Sequence, residues 1–471
     1  GKAWLHKEVF RRIRARSLAK ARAETKPVEL SEYQTFLIGL QGVGPVGGER
    51  YDGEDGVMRV IEQLEGVALP PSVWESSVLP ARVRDYRPAM LDGLLSSGEI
   101  VWVGSKTTGS KAKEPGLVAL HPADSLLLTV QDGEKNGEAP GEPVTLPDAV
   151  MAVLAPGGAY HANQLAGMTR AAWDASSECV DESTGEILPH PWSDSQFEEA
   201  LWSLVWQGKV TNSSFDPLRS LGASSHAVKA PARASRRRVR VRVSVPANMT
   251  GLWSAVPHAD MQEASAERVA IARVEALLDR YGVIAPPMID KERLDGGFSG
   301  LYPVLRRMEE HGALMRGMFI SGCGAAQFAS RQTVDALRAC AAEPSAVVWA
   351  ATDPANLYGS VIAWPRTIGG FSIRPARRSG ASVVLRGGRL LAYAVPRSHH
   401  LLLAQDADPA LQQACNELAY ALQRNLRDGG IRGGVTFCDA NDEPLTARGE
   451  WSRMLHVAGF VPVPQGMKLY C

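Results

Sequence analysis

Long apolar runs are missing from this 471-residue chain. A membrane-spanning helix needs about 18 or more consecutive apolar residues, and none occurs, so the sequence predicts no membrane span. No charged-then-apolar leader opens it, which leaves out a secretion signal. Cysteine is sparse: Cys179, Cys323, Cys340, Cys415, Cys438 and Cys471 stand singly, with no CxxC and no disulfide-like framework. That usage predicts a reducing, cytoplasmic setting. Net charge is absent too, because Lys plus Arg and Asp plus Glu both number 51. No whole-molecule field draws the chain onto a polyanion, and any nucleic-acid surface has to be local.

Chemical motifs are equally few. The ten histidines include one adjacent pair, His399-His400, with no HExxH and no cysteine at ligand spacing, so no metal site is expected. No GxSxG occurs. The run Gly104–Lys111, GSKTTGSK, has the look of a phosphate loop, but Ser110 precedes Lys111 and a strand leads into more loop, whereas a phosphate loop needs GK then Ser or Thr before a helix. The chain opens on Gly1-Lys2 with a helical pattern under way by Glu8, and is expected to be part of a longer polypeptide.

What is present is the grammar of several small domains, three or four at about 150 residues each. The densest signals lie in Asp295–Ala329. A helix over about Ser299–His311 puts Tyr302, Leu305 and Met308 on one stripe and leaves Arg306, Arg307, Glu309 and Glu310 outside. Gly312 stops it. Ala313–Met315 and Met318–Ile320 follow as short strands, expected to turn at Arg316-Gly317. Helix, glycine stop and hairpin describe a winged helix, in which wing and helix termini can meet phosphates. Arg306, Arg307 and Arg316 are therefore candidate nucleic-acid contacts, against the alternative of a merely solvated helix face.

The same order recurs upstream. Asp85–Ser97, Gly98, Glu99–Val103 and Gly116–Leu120 make one such unit; Ser193–Gln207, Gly208 and Lys209–Asn212 make another, closed by Phe215–Leu218. The predicted organisation is a helical segment over 1–69, winged helices over 70–125, 145–218 and 262–340, a basic linker over 219–245, and a β-rich domain with helices over 341–471. The class is α+β. In the linker, Arg233, Arg236, Arg237, Arg238, Arg240 and Arg242 occur without an acid. Single-sign clustering in a balanced chain favours an arm that tracks phosphates by counterion release, with a charged, soluble spacer as the alternative.

Together, Leu79-Pro80-Ala81-Arg82-Val83 with Asp85-Tyr86, Leu201–Asn212, Gly297–Leu305 with Gly324–Ala329, and Ala351–Asn356 followed by Trp364-Pro365 resemble the large helicase-related family. The likeness runs almost end to end, over the region that follows the ATPase core of these bacterial superfamily 2 DNA-repair helicases. It implies a 3′–5′ single-stranded DNA translocase that unwinds RNA:DNA hybrids. ATP and magnesium would belong to the missing core, and this chain would need no cofactor. It also implies tandem winged helices before a β-barrel-like domain, as in tandem winged-helix DNA glycosylases, and hence a possible uracil-DNA glycosylase activity. Base excision needs a group that activates water or steadies an oxocarbenium-like sugar. Asp353, Gln327 and Asn356 are the candidates, with Phe328 and Tyr358 to stack on a base. Their structural alternative is a capping turn at Asp353-Pro354 and a loop-satisfying Gln327. Two departures stand out: no acid follows Glu450, and Leu252 stands where the family more often has arginine.

Three functions compete on this reading. One is a nucleic-acid-binding module for single-stranded DNA or DNA:RNA hybrid, expected to be a homo-oligomer in the bacterial cytoplasm. The others are a metal-independent glycosylase and a purely structural oligomerisation domain.

Overall fold

The computed structural model describes residue 9 and residues 26–43, 50–106, 116–129, 145–175, 179–180, 187–188, 191–224, 246–257, 265–294, 296–340, 346–405, 410–428, 434–446 and 449–470. The chain forms two compact units, one of residues 1–51, 80–84 and 273–471, the other of 52–79 and 85–272.

In the second of these, the Pro88–Ser97 helix ends at Gly98, whose φ of 79° supplies the left-handed stop that a side chain resists. Ile100–Ser105 then pairs antiparallel with Leu117–Pro122, from Ile100 opposite Pro122 to Ser105 opposite Leu117. Ile100 and Trp102 alternate inward, as period two requires, and the Trp74 indole donates to Val118 O at 2.8 Å to lock the hairpin. The tip carrying GSKTTGSK lies mostly outside the described residues. Three helices follow, Leu146–Leu154, Ala162–Ala175 and Asp194–Trp206. Thr145 and Asp148 form a capping box at the first, satisfying backbone donors reciprocally.

The next wing differs from its expected limits. Val210–Asn212 pairs with Leu252–Ala255, which also pairs with Tyr160-His161. The unit does not close at Phe215–Leu218, because Asp216–Ser224 is a helix and the partner strand lies beyond the basic stretch. Sequence spacing hid this, since a hairpin is recognised by a short link and here the link is some forty residues.

In the other unit, residues 273–281 of the Ala266–Tyr281 helix and the helices Pro286–Glu292 and Gly297–His311 accompany a three-stranded antiparallel sheet ordered Val283–Ile284, Gln327–Ala329, Met315–Gly317. Arg316-Gly317 is therefore strand and not the turn of the hairpin; Met318–Ala326 is the connection. Gln327 explains how so long a loop holds its shape. Its Oε1 accepts from the Phe319 and Ile320 amides, and its Nε2 donates to Ile320 O and Gly324 O, all at 2.8 Å.

The β-rich part is a six-stranded sheet, in the order Val347–Ala350, Ser382–Arg386, Arg389–Val395, His400–Leu403, Asp439–Ala440, Glu443–Pro444. Pairing is antiparallel except between His400–Leu403 and Asp439–Ala440. Its end strands do not pair with each other among the described residues, so the sheet is open and not a closed barrel. The Ala410–Asp428 helix packs on it through Leu411, Ala414, Leu418 and Leu422. Val435–Phe437, Gly466–Leu469 and Val461–Val463 make a separate small sheet, so the Phe460–Tyr470 tail is a hairpin.

Two glycines separate conformational strain from collision. Gly388 has φ of 71°, and a Cβ there would sit 1.8 Å from Ser31 O, while Gly98 has open space around the same position. Gly98→Ala should cost about 1 kcal/mol, and Gly388→Ala more than about 2 kcal/mol, read by denaturant unfolding. Equal losses would mean that the Ser31 backbone yields freely.

Candidate functional site

Arg82 and Asp353 are both fully buried. The guanidinium grips the carboxylate in a fork, Nη1 to Oδ2 and Nη2 to Oδ1, each 2.8 Å. Such planar bidentate pairing is what arginine, and not lysine, provides. Nη2 also donates to Gln41 Oε1 at 3.0 Å, and Gln41 Nε2 donates to Arg280 O at 3.0 Å. Asp353 Oδ1 further accepts from the Ala355 amide at 2.8 Å, which closes the turn it opens. Sequence reasoning passed over Arg82, although a lone arginine between Ala81 and Val83 in an apolar run was the available signal.

Cations cluster around the same turn. Arg377 donates through Nη1 to Asn356 O at 2.5 Å and through Nη2 to Thr352 O and Asp353 O at 3.1 and 3.2 Å. Lys291 Nζ donates to Pro354 O at 2.8 Å and lies 5.2 Å from the Tyr281 ring centroid. Burial, with Arg377 beside it, lowers the Lys291 ammonium to about 7. Glu292 is also shifted down, which for a carboxyl favours the charged form: burial opposes its charge, but Arg280 at 2.5 Å and the Tyr281 hydroxyl hold it below the usual carboxylate range.

The other residues nominated for chemistry are committed to backbone. Asn356 donates to Ala351 O at 2.8 Å and accepts from the Tyr358 amide at 3.1 Å. Tyr358, nearly buried, donates its hydroxyl to Gly388 O at 2.9 Å and stacks on Trp364 at 6.1 Å. Gln327 spends its carboxamide on the 318–326 loop, and none of its hydrogen bonds reaches Asp353. Residue type, a carboxylate and carboxamides suited to base excision, singled these residues out; their burial follows from the turns they close.

The arginines sit differently. Arg306 and Arg307 are exposed on the Gly297–His311 helix, Arg306 pairing with Glu310 at 3.1 Å. Arg316, half-buried, places its guanidinium 5.7 Å from the Tyr302 centroid. Tyr302 in turn packs against Phe298 and Phe328, with centroids 6.0 Å away in both cases. Helical i, i+4 spacing aligns Phe298 with Tyr302, so arginine and half-exposed aromatics share one face. Arg236, Arg237 and Arg238 lie outside the described residues. No group of three His, Cys, Asp or Glu suited to a metal occurs among the described residues, and no described helix is long and apolar enough to cross a membrane.

Two outcomes follow from the buried cluster. Arg82→Met strands the Asp353 carboxylate in the core and should cost about 3–5 kcal/mol, with Arg82→Met/Asp353→Asn regaining part of it in denaturant melts; a double variant no more stable than the single would deny the coupling. Lys291 has a lowered folded pKa, so between about 7 and its unfolded value the unfolded chain binds more protons. Stability should therefore rise with pH across that window, and Lys291→Met should flatten the rise in thermal melts taken from pH 7 to 10.

Family models described as the winged-helix domain of large helicase-related protein match residues 28–123 and 263–349. The Lhr helicase/uracil glycosylase of Escherichia coli strain K12 is 38% identical over 498 residues, covering 98% of this chain and 30% of that protein. The Lhr helicase/probable uracil glycosylase of Mycolicibacterium smegmatis is 37% identical, covering 88% of this chain and 26% of its own length. The chain thus spans less than a third of the curated relatives it matches. Among solved structures, the Streptomyces sahachiroi DNA glycosylase AlkZ shares its fold with a TM-score of 0.50 at 14% identity, over 86% of this chain and 98% of that one. With both winged-helix models matching within it and both relatives aligning over most of its length, the chain belongs to the large helicase-related family, as part of its C-terminal region.

Proposed function

We propose that this chain is the nucleic-acid-binding module of an ATP-dependent 3′–5′ DNA helicase of DNA repair, engaging single-stranded DNA or a DNA:RNA hybrid without a membrane. The observation that carries this reading is a division of labour among side chains. Asp353, Gln327 and Asn356 are fully buried with their polar atoms engaged by the fold, whereas Arg306, Arg307 and the Tyr302–Arg316 pair are at least partly open to solvent. Charged donors beside aromatic faces suit phosphates and unstacked bases. ATP and magnesium belong to the motor on the remainder of the polypeptide, and this chain calls for no cofactor. Homo-oligomerisation and a bacterial cytoplasmic, nucleoid-associated setting are part of the same proposal.

A second reading, a uracil-DNA glycosylase in its own right, draws support from the names of both relatives and from the glycosylase-like fold. In that reading Asp353 would steady charge on the sugar and Gln327 or Asn356 would hold water, which requires the 352–358 turn to open on DNA. The two are separable on one labelled, uracil-containing single strand, with anisotropy reading binding and alkali cleavage reading base release.

Tyr302→Ala/Arg316→Ala should weaken binding by about 1–3 kcal/mol, while the wild type releases no base. Tight binding unchanged by the double substitution would remove this face from the interface. Base release by the wild type, lost in Asp353→Asn with binding and melting temperature retained, would establish the second reading.

A further inference from the structure

From residue 354 to residue 405 the sequence contains no Asp, Glu or Lys but seven arginines: Arg366, Arg374, Arg377, Arg378, Arg386, Arg389 and Arg397. In a chain whose formal charge is zero, this 52-residue span carries seven positive charges, and unlike the 233–242 arm it falls within the described residues. The connection between Ala350 and Ser382, two neighbouring strands of the six-stranded sheet, holds four of the seven.

That connection is anchored. Phe371 and Ile373 pack against the hydrophobic core, and Trp364 stacks on Tyr358 and meets Tyr393 edge-on with centroids 5.6 Å apart. The Ser372 amide and hydroxyl both donate to the Asp442 carboxylate, the amide at 2.7 Å. Arg377 turns inward to the backbone carbonyls of the 352–356 turn. Exposure then alternates with period two: Phe371, Ile373, Pro375 and Arg377 face in, while Ser372, Arg374, Ala376 and Arg378 face out. Arg378 Nε donates to the Tyr393 hydroxyl at 3.0 Å, which fixes where the outer guanidinium stands. Arg397, also exposed, has its Cδ within 4.0 Å of where a Cβ on Gly380 would be, so it borders the same edge.

Arg366, Arg374, Arg378 and Arg397 make no ion pair among the described residues. Asp442 is the acid that Ser372 brings to this strip; the two Ser372 hydrogen bonds hold its carboxyl below the usual carboxylate range, so it sets one negative charge against the four outer arginines. Exposed arginines are ordinarily interspersed with acids; several on one pinned strip, with no acid in the strip's own sequence, make a surface complementary to a polyanion.

We infer that the Arg366–Gly380 strip, extended by Arg397, is a second nucleic-acid surface, on the β-rich domain, and that it holds the phosphates of a single strand. It rests on the nucleic-acid-binding function proposed above. Because the strip's backbone is held at Asp442 through Ser372 and at the 352–358 turn through Arg377, and Arg378 is held at Tyr393, little backbone ordering accompanies binding, and the contribution of the outer arginines is electrostatic rather than base-specific.

The test uses the whole chain, a fluorescein-labelled oligothymidylate and anisotropy titrations from low to moderate salt. The outer arginines are exposed, so Arg374→Gln/Arg378→Gln/Arg397→Gln should keep the wild-type melting temperature. Three lost phosphate contacts should reduce the slope of log affinity against log salt by about 2, at roughly 0.7 per single-strand phosphate. The matching triple lysine variant should restore it. A wild-type slope in the glutamine variant, with binding intact, would overturn this inference and leave the winged-helix surface standing. A wild type that binds no DNA at any salt would overturn both.

Discussion

A guanidinium and a carboxylate, each fully buried, set the terms for the unit built from residues 1–51, 80–84 and 273–471. Pro80–Arg84 is a five-residue return of the chain from one excursion before it leaves on another. Arg82 makes that brief return binding, because it ties the 352–356 turn and Gln41 in one fork. Isolated buried charges are intolerable, and a pair joined by two parallel hydrogen bonds in a fork is stable only in one geometry. The pair therefore acts as a register pin. Gln41 passes the constraint on to the Arg280 backbone, and Arg280 to Glu292, so segments distant in sequence share one polar network.

The same economy explains why the apparent chemical residues are inward. Gln327 bridges a nine-residue loop, Asn356 and Asp353 close successive turns, and Gln34 exchanges two hydrogen bonds with Ala355 O and the Leu357 amide at 2.7 and 2.9 Å. Buried loops have unpaired backbone groups that must be satisfied, and carboxamides and carboxylates do this at least cost. Arginine takes the complementary part. Where it faces inward it grips carbonyls, as Arg377 does; where it faces outward it is left beside aromatic rings, as Arg316 and Arg378 are.

Much of the secondary structure was legible in the sequence. The helices stopped by Gly98, Gly208 and Gly312 form there, because a residue at positive φ ends a helix by local sterics alone. The Ser382–Arg386 and Arg389–Val395 strands likewise turn at Gly387-Gly388, both at positive φ. Readings failed where pairing was remote: the strand partner of Val210–Asn212 stands beyond the basic stretch, and Arg316-Gly317 lies in a strand because Gln327, ten residues on, shapes the loop. The candidate site was legible only as residue types. Asp353 and Gln327 were noticed, while Arg82, which decides what Asp353 does, gave no periodic signal.

By itself the sequence determined the repeated helix, glycine and strand order, the absence of metal and nucleotide-binding motifs, and the local bias of charge within a neutral chain. These depend on neighbours a few residues away, where sterics and spacing suffice. Tertiary structure decided which polar groups are buried and which arginines face water, because burial is set by partners more than two hundred residues apart, as Arg82 and Asp353 are. No local pattern encodes a contact at that distance.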